Sequence, residues 1–297
     1  MPIARTPDTE IFYESFGDTG LPTVLLVAGL GGQLTNWDEG FCRSLASTGL
    51  RVIRFDNRDV GLSTMFDDRP LDLSAALADA LAGLDIEVPY TLSDMAGDVI
   101  GLLDHLEVEQ AHLAGVSMGG MIAQTAAVEH PHRVGSLTSI MSSTGSRSVG
   151  QPTPEAIEVL FERSPSDRDG AVDAAVRAHR IIGSPDYFDE AEARIRAAAA
   201  FDRSFNPDGI GRQLAAIYAA GNRSDQLSGV TVPTLVIHGA KDALIDVSGG
   251  YHTAETIPGS TLMIVDDMGH DLARPLWERL IGAIAEHIHK AESASIQ

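Results

Sequence analysis

Seven short, mostly apolar runs recur along the chain, separated by stretches in which apolar residues repeat at helical spacing. In chain order the runs are IFYESFG (11–17), TVLLVAG (23–29), RVIRFDN (51–57), AHLAGVS (111–117), SLTSIMSS (136–143), TVPTLVIHG (231–239) and STLMIVDD (260–267). A continuous apolar run of about four to eight residues is typical of a strand that is buried on both faces, as in a parallel sheet. The runs therefore predict the strands of one sheet.

The stretches between the runs predict helices. One lies at 91–106, where apolar residues recur every three or four positions and Ser93 is available as the N-cap. Others are predicted at 37–48, 118–130 and 275–290, and a polar tail at 291–297 is expected to be disordered. Strands that alternate with helices predict an α/β fold with a doubly wound, mostly parallel sheet.

The alternation stops between about residues 147 and 228, where the chain is rich in Ala, Arg, Glu and Asp and has helical periodicity. We expect an inserted helical cap at 147–228 on an α/β core formed by 1–146 and 229–297. A cap in this position lies over an edge or an end of the sheet, and ligands of open α/β sheets bind at the carboxyl end of the strands. A second stretch, 65–89, is predicted to be irregular and to flank it.

The composition of the chain limits the binding partners and the cellular compartment that we expect. The 42 acidic residues against 21 Lys and Arg give a formal charge of -21, which opposes binding to nucleic acid or to anionic membranes. The one cysteine, Cys42, allows no intramolecular disulfide, and no apolar run is long enough to span a membrane, so we expect a cytoplasmic protein. Monomer and homodimer both remain open.

The strongest chemical signal is Gly115-Val116-Ser117-Met118-Gly119, a G-x-S-x-G pattern between a predicted strand and a predicted helix. Small residues are needed where the strand and the helix nearly touch, and Gly115 and Gly119 supply them. In this context the pattern predicts Ser117 as a nucleophile, whereas the same pattern in an arbitrary position is common.

A serine nucleophile needs a general base, and histidine has a suitable pKa. Of the ten histidines, His270 lies in the loop after the last predicted strand, and we expect it to be the base. Of its competitors, His112 lies in a predicted strand, and His130, His132, His287 and His289 flank or occupy predicted helices, where a buried or solvated histidine is the ordinary finding. The pair His287 and His289 has no cluster of further ligands, so a metal site is not expected there.

The base in turn needs a carboxylate that orients it, and Asp242 directly follows a predicted core strand and precedes His270. The order Ser, acid, His is that of α/β-hydrolases. The alternatives are the loop carboxylates Asp246, Asp266, Asp267 and Asp271, for which a solvated side chain is the simpler interpretation.

Two backbone N–H groups are expected to bind an oxyanion. One is that of Met118, at the start of the helix after the nucleophile, and the other is that of Leu30, in the loop Gly29-Leu30-Gly31-Gly32. The patterns of phosphate-binding glycine loops are absent, so nucleotide binding is not expected.

These residues resemble the α/β-hydrolase fold superfamily over nearly the whole chain, in its serine esterase form. The superfamily's D-x-R-G-x-G-x-S signature is similar to the stretch Asp56-Asn57-Arg58-Asp59-Val60-Gly61-Leu62-Ser63. The Asn-Arg-Asp form of this stretch resembles that of bacterial methylesterases that act on polyketides of the aclacinomycin type. Ala28-Gly29 stands where the family usually has His-Gly.

The resulting expectation is a carboxylic ester hydrolase without metal or organic cofactor, acting through an acyl-enzyme on a small or medium hydrophobic ester. Lactone hydrolysis, C–C bond cleavage and cofactor-free perhydrolysis remain open with the same triad, as does a slow-turnover ligand receptor. Candidate substrate-binding residues are the larger apolar side chains of the cap: Phe161, Ile181, Tyr187, Phe188, Phe201 and Tyr218.

Overall fold

The protein, described here by a computed structural model over residues 2–162 and 165–295, forms one eight-stranded sheet within these residues. Its strands are β1 Ile3–Arg5, β2 Glu10–Phe16, β3 Thr23–Val27, β4 Arg51–Phe55, β5 Ala111–Val116, β6 Val134–Ile140, β7 Thr234–Gly239 and β8 Thr261–Val265. They lie in the order β1-β2-β4-β3-β5-β6-β7-β8. β2 runs antiparallel to both of its neighbours, β1 and β4, and the remaining adjacent pairs in the described sheet are parallel. The predicted doubly wound, mostly parallel sheet is confirmed.

Eleven α-helices accompany the strands within the described residues. They are α1 Glu39–Ala46, α2 Leu73–Leu81, α3 Leu92–His105, α4 Met118–Glu129, α5 Pro154–Phe161, α6 Arg168–Ile182, α7 Glu190–Arg203, α8 Pro207–Ala220, α9 Ser224–Leu227, α10 Ser248–Thr256 and α11 Trp277–Ser295. Within the described part of the chain, no helix combines the length and the apolar character that a membrane crossing requires.

The apolar run of β3 is buried along its whole length because each face of the sheet carries its own core. Leu25 and Val27 pack with residues of α3 and α4, whereas Val24 and Leu26 pack with residues of α1 and α11. Every β3 side chain thus has apolar neighbours, as expected for a central strand of a parallel sheet.

Local details differ from the sequence-based predictions in several places. Thr91, not Ser93, is the N-cap of α3, because Thr91 and Asp94 form a capping box while the Ser93 hydroxyl bonds Glu129 of α4. The predicted disorder is wrong for residues 291–295, which continue α11, while residues 296–297 lie outside the described residues. Helix α2, which begins after the N-cap Asp72, lies in the stretch predicted to be irregular.

Helices α5 to α9, here called the helical insertion, lie between β6 and β7. Within it α6 packs against α7, and α8 packs against α2 and α3 of the remaining chain. All five helices fall inside the predicted limits 147–228, but a division of the chain into two domains at those limits stays a prediction.

Candidate active site

Ser117 occupies a sharp turn between β5 and α4. Its backbone has φ 55° and ψ -122°, a conformation that a residue with a Cβ rarely adopts and that costs roughly 1–3 kcal/mol. Hydrogen bonds on both sides hold the turn: the Ser117 N–H donates to the Ile140 carbonyl at 2.9 Å, and the Ser142 hydroxyl donates to the Ser117 carbonyl at 2.8 Å. The fold therefore maintains strain at the residue predicted to be the nucleophile.

The glycines around Ser117 are required by close backbone contacts. A Cβ on Gly115 would lie 2.1 Å from the Gly119 carbonyl oxygen, and one on Gly119 would lie 2.2 Å from the carbonyl oxygen of Val27. No side chain fits at such distances, so both positions need glycine to bring β5, α4 and β3 together.

The turn lies at the point where the chain connections reverse direction. Strands β3 and β5 are adjacent, with Val27 opposite Gly115, but β3 is followed by β4 on one side and β5 by β6 on the other. The loops after β3 and β5 therefore border one crevice, where α/β sheets bind ligands. Gly29 lies against the serine, since a Cβ there would be 3.2 Å from the Ser117 Cβ.

Residues 29–32, which contain the predicted oxyanion donor Leu30 and are here called the oxyanion loop, form a tight turn. The Gly32 N–H donates to the Gly29 carbonyl at 3.0 Å, and Gly31 has φ 66°. Neither the Leu30 N–H nor the Met118 N–H has an acceptor among the residues that the structure describes. Both groups predicted to bind an oxyanion are thus available as donors.

Asp242 and His270 form a direct pair. The His270 Nδ1 lies 2.7 Å from the Asp242 Oδ2, while the Asp242 Oδ1 accepts from the backbone N–H groups of Leu244 and Ile245 at 2.9 and 2.8 Å. Burial by itself raises the pKa of the Asp242 carboxyl, but the charge of a protonated His270 and hydrogen bonds from His270 and His238 outweigh it, so the pKa lies well below its usual 3.8. Asp242 is held ionised against the imidazole.

The loop that carries His270 is fastened on two sides. Towards β7, the Lys241 N–H donates to the Met268 carbonyl at 3.0 Å. Towards the helical insertion, the His270 N–H donates to the Ile182 carbonyl at 2.7 Å and the Gly269 N–H donates to the Ser184 hydroxyl at 2.8 Å. Among the described residues no hydrogen bond joins His270 to the Ser117 hydroxyl, a contact that commonly tightens only when substrate binds.

The competing loop carboxylates have other partners. Asp246 accepts from the Ser248 N–H, Asp267 accepts from the Tyr187 hydroxyl, and Asp271 contacts His179 and Ser184. Asp266 is exposed. Asp242 is the carboxylate that the fold pairs with His270.

The candidate substrate-binding residues do not form one cluster. Phe201 lines a cleft of about 170 Å³ between the oxyanion loop, at Gly31, and helices α6 to α8. Phe161 and Tyr218 contact each other at 6.5 Å between ring centroids, and Phe188 packs against His179 at 5.6 Å. Tyr187 bonds Asp267, and Ile181 is partly buried in α6. Of the six, Phe201 is the one that borders this cleft.

The sequence analysis assigned no role to the residues after β4, which the structure places between the oxyanion loop and the helical insertion. The Asp56 carboxylate accepts from the Leu34 N–H at 2.7 Å and pairs with Arg203 of α7 at 2.7 Å. Asp59 forms a two-contact pair with Arg212 of α8, at 2.8 Å for each contact, and both side chains are buried. A charged run directly after an apolar strand was the available signal, since buried acids need partners.

Comparison with known proteins supports the architecture. The model of the alpha/beta hydrolase fold family matches residues 22–273. Among curated proteins, the chain is 26% identical to the rhodomycin D methylesterase of Streptomyces sp. strain C5, with 96% of each chain covered, and 26% identical to 3-oxoadipate enol-lactonase 2 of Acinetobacter baylyi, with 87% of this chain and 86% of the relative covered. Among solved structures, the enol-lactonase of Burkholderia xenovorans LB400 superposes with a TM-score of 0.75 at 23% identity, covering 97% of this chain and all of that one. The resemblance to bacterial methylesterases seen in the sequence is confirmed as a similarity.

Proposed function

We propose that this chain, which belongs to the alpha/beta hydrolase fold family, hydrolyses a carboxylic ester by two-step acyl transfer through Ser117. His270 takes the proton of the Ser117 hydroxyl as its oxygen attacks the ester carbonyl carbon, and Asp242 stabilises the imidazolium that forms. The N–H groups of Leu30 and Met118 bind the oxyanion of the tetrahedral intermediate. His270 then gives its proton to the leaving alcohol.

The second step repeats the first with water as the nucleophile. His270 takes a proton from water, the hydroxide adds to the acyl carbon, and collapse of the intermediate returns the proton to the Ser117 oxygen and releases the acid. Every proton lost is regained within one cycle, and each step uses groups of this chain.

The observation that carries this proposal is the strained Ser117 turn beside two N–H groups that have no acceptor in the described part of the chain, within a fold that also builds the 2.7 Å pair of Asp242 and His270. Backbone strain of this kind concentrates at functional sites. The methylesterase similarity supports an ester with a small alcohol group, and residues 147–228 are proposed as the cap that selects the acyl part.

The direct test is hydrolysis of p-nitrophenyl and methyl esters of increasing acyl length by wild type and Ser117→Ala. We expect turnover in the wild type and a loss of at least about a thousandfold in the variant, because the residual binding groups alone give little catalysis. Ser93→Ala, which removes a hydroxyl of α3 that bonds Glu129 of α4, is the control and should keep wild-type turnover. Absence of ester hydrolysis by the folded wild type would overturn the proposal.

Lactone hydrolysis is the second candidate, favoured by the similarity to 3-oxoadipate enol-lactonase 2. A lactone opens by the same attack, with its own ring oxygen as the leaving group. Enol-lactones belong in the same panel, and a kcat/KM for a lactone that exceeds all open-chain esters would transfer the assignment to a lactonase.

A further inference from the structure

A buried glutamine from the helical insertion reaches the oxyanion loop. Gln213 of α8 is fully buried, its Oε1 accepts from the Gly31 N–H at 2.9 Å, and its Nε2 donates to the Arg58 carbonyl at 2.7 Å. Both ends of the side-chain amide are therefore bonded to backbone of loops that border the crevice. Gln213 and Gly31 are 182 positions apart in the sequence.

The bond to Gly31 selects one form of the turn at 29–32. A positive φ at the third residue and a negative φ at the second match a type II turn, and only Gly31, not Leu30, has positive φ here. The type I alternative needs the Leu30–Gly31 peptide to rotate, which would turn the Gly31 N–H away from Gln213. The Leu30 N–H belongs to the preceding peptide, Gly29–Leu30. Because the two peptides share the Leu30 Cα, fixing the Leu30–Gly31 peptide restricts the direction of the Leu30 N–H.

Two contacts next to Gln213 fix the position of helix α8 relative to the oxyanion loop. Ile210, one turn before Gln213, packs on the same glycine, since a Cβ on Gly31 would lie 3.0 Å from the Ile210 Cδ1. Arg212, next to Gln213, forms the buried pair with Asp59. The acceptor for Gly31 is thus carried by a helix anchored on both sides.

We infer that Gln213 is a positioning residue of the site: it orients the oxyanion loop so that the Leu30 N–H points at the developing oxyanion. This inference rests on the proposed function, because it treats that N–H as an oxyanion donor. Gln213 itself contacts no reacting atom, and its effect passes through Gly31. The helical insertion would then complete the catalytic machinery as well as shape the pocket.

The test compares Gln213→Met with Gln124→Met on p-nitrophenyl acetate. Both glutamines are fully buried with two side-chain contacts, but those of Gln124 are Ser139 and Arg223, away from the oxyanion loop. Loss of one oxyanion donor costs about 100- to 1,000-fold in kcat, so a misdirected donor in Gln213→Met should lower kcat by about 10- to 100-fold, with KM nearly unchanged. Gln124→Met should keep the wild-type kcat.

Two further readouts separate positioning from general damage. Affinity for a boronic acid that forms a tetrahedral adduct with Ser117 should fall in parallel with kcat/KM in Gln213→Met. Gln213→Glu keeps an acceptor for the Gly31 N–H and should recover part of the lost kcat. Hydrogen exchange of the wild type, which needs no variant, should show Gly31 protected although it lies in a loop.

The outcomes distinguish this inference from the proposed function. An active wild type together with a Gln213→Met variant of equal kcat, or a Gly31 N–H that exchanges at an unprotected rate, would overturn the role of Gln213 alone. A folded wild type that hydrolyses no ester and no lactone would overturn the proposed function and, with it, the catalytic consequence of the Gly31 contact.

Discussion

The Nε2 of His238 lies 3.5 Å from the Asp242 Oδ2, the same oxygen that accepts from His270. The His238 Nε2 also lies 2.8 Å from the Ile245 carbonyl oxygen, and since both neighbours are acceptors, this nitrogen carries a proton. His238 is fully buried at the end of β7. The proposed triad acid, Asp242, is therefore contacted by two histidines, His238 and the proposed base His270.

Replacement of His238 should reduce the stabilisation of the Asp242 carboxylate without removing the carboxylate itself. His238→Leu deletes one donor to Asp242, and a net hydrogen bond is worth about 1 kcal/mol, so we expect kcat to fall about fivefold at unchanged KM. Steady-state ester hydrolysis measures this. His112→Leu, at an equally buried histidine that contacts Ser136 and Glu292, is the control for loss of stability. A kcat in His238→Leu equal to that of His112→Leu would argue against a role for His238.

The turn at Ser117 should not tolerate a methyl group at position 119. Gly119→Ala places a Cβ 2.2 Å from the Val27 carbonyl oxygen, and the overpacking should reduce the free energy of unfolding by at least about 2 kcal/mol. Gly97→Ala, in the exposed face of α3 with nothing within 4 Å, should instead gain about 0.5–1 kcal/mol. Urea unfolding of the two variants measures both changes, and equal effects would contradict the close contact.

Stability should decrease below about pH 4. Burial by itself raises the pKa of the Asp59 carboxyl, but hydrogen bonds from Arg212, the Phe66 N–H and Tyr90 outweigh it and place the pKa below the usual 3.8. A folded-state pKa below the unfolded one means that the stabilisation is complete above the unfolded value of about 3.9 and is lost as pH falls through the folded value. The pKa of Asp242 and that of Asp271 are lowered too, so the same pH window applies to them.

Asp59→Asn isolates one of these contributions. The variant removes the buried carboxylate that Arg212 contacts twice and leaves Arg212 only its 3.4 Å contact with the exposed Asp67, so we expect a loss of about 3 kcal/mol in the free energy of unfolding at pH 7. Its stability should also change less than that of the wild type between pH 5 and pH 3, because the Asn side chain does not titrate. Urea unfolding at pH 5 and pH 3 measures the free energy of unfolding of both proteins. An equal decrease in the wild type and in Asp59→Asn would refute the assignment to Asp59.

Cys42 should be unreactive until the chain unfolds. Burial is the main cause that raises the pKa of this thiol to about 12, so very little thiolate exists near neutral pH. We expect no reaction with a disulfide reagent in buffer at pH 8 and one equivalent of thiol in urea, measured by absorbance. Cys42→Ser supplies the blank, and fast labelling of the folded protein would show that α1 opens.

The elements that local sequence specifies were predictable. The strand before Ser117 and the helix after it follow from an apolar run and from glycines whose only use is close backbone contact, and the structure has both at the predicted place. The Asp242 and His270 pair was predictable because each residue lies in the loop that follows a strand of a sheet whose order the fold class implies. These inferences need only short windows of sequence.

The contacts that the sequence did not reveal join distant segments. Asp59 and Arg212 are 153 positions apart, and no periodic pattern relates α8 to the oxyanion loop. Helix α10 was missed because its first turn contains two glycines, and the structure uses one of them, Gly250, for close packing against His238. Long-range polar pairs depend on the docked positions of whole elements, which local patterns do not contain.

Backbone groups on both sides of the crevice depend on the helical insertion: the Gly31 N–H bonds Gln213, and the Gly269 N–H bonds Ser184. Anyone who exchanges residues 147–228 for the corresponding segment of a relative, in order to alter substrate choice, would also remove these two acceptors. A chimera would therefore need Gln213 and Ser184 retained along with its new pocket walls. Under the proposed function, the segment that would select the substrate also carries two side chains that hold the loops bordering the crevice.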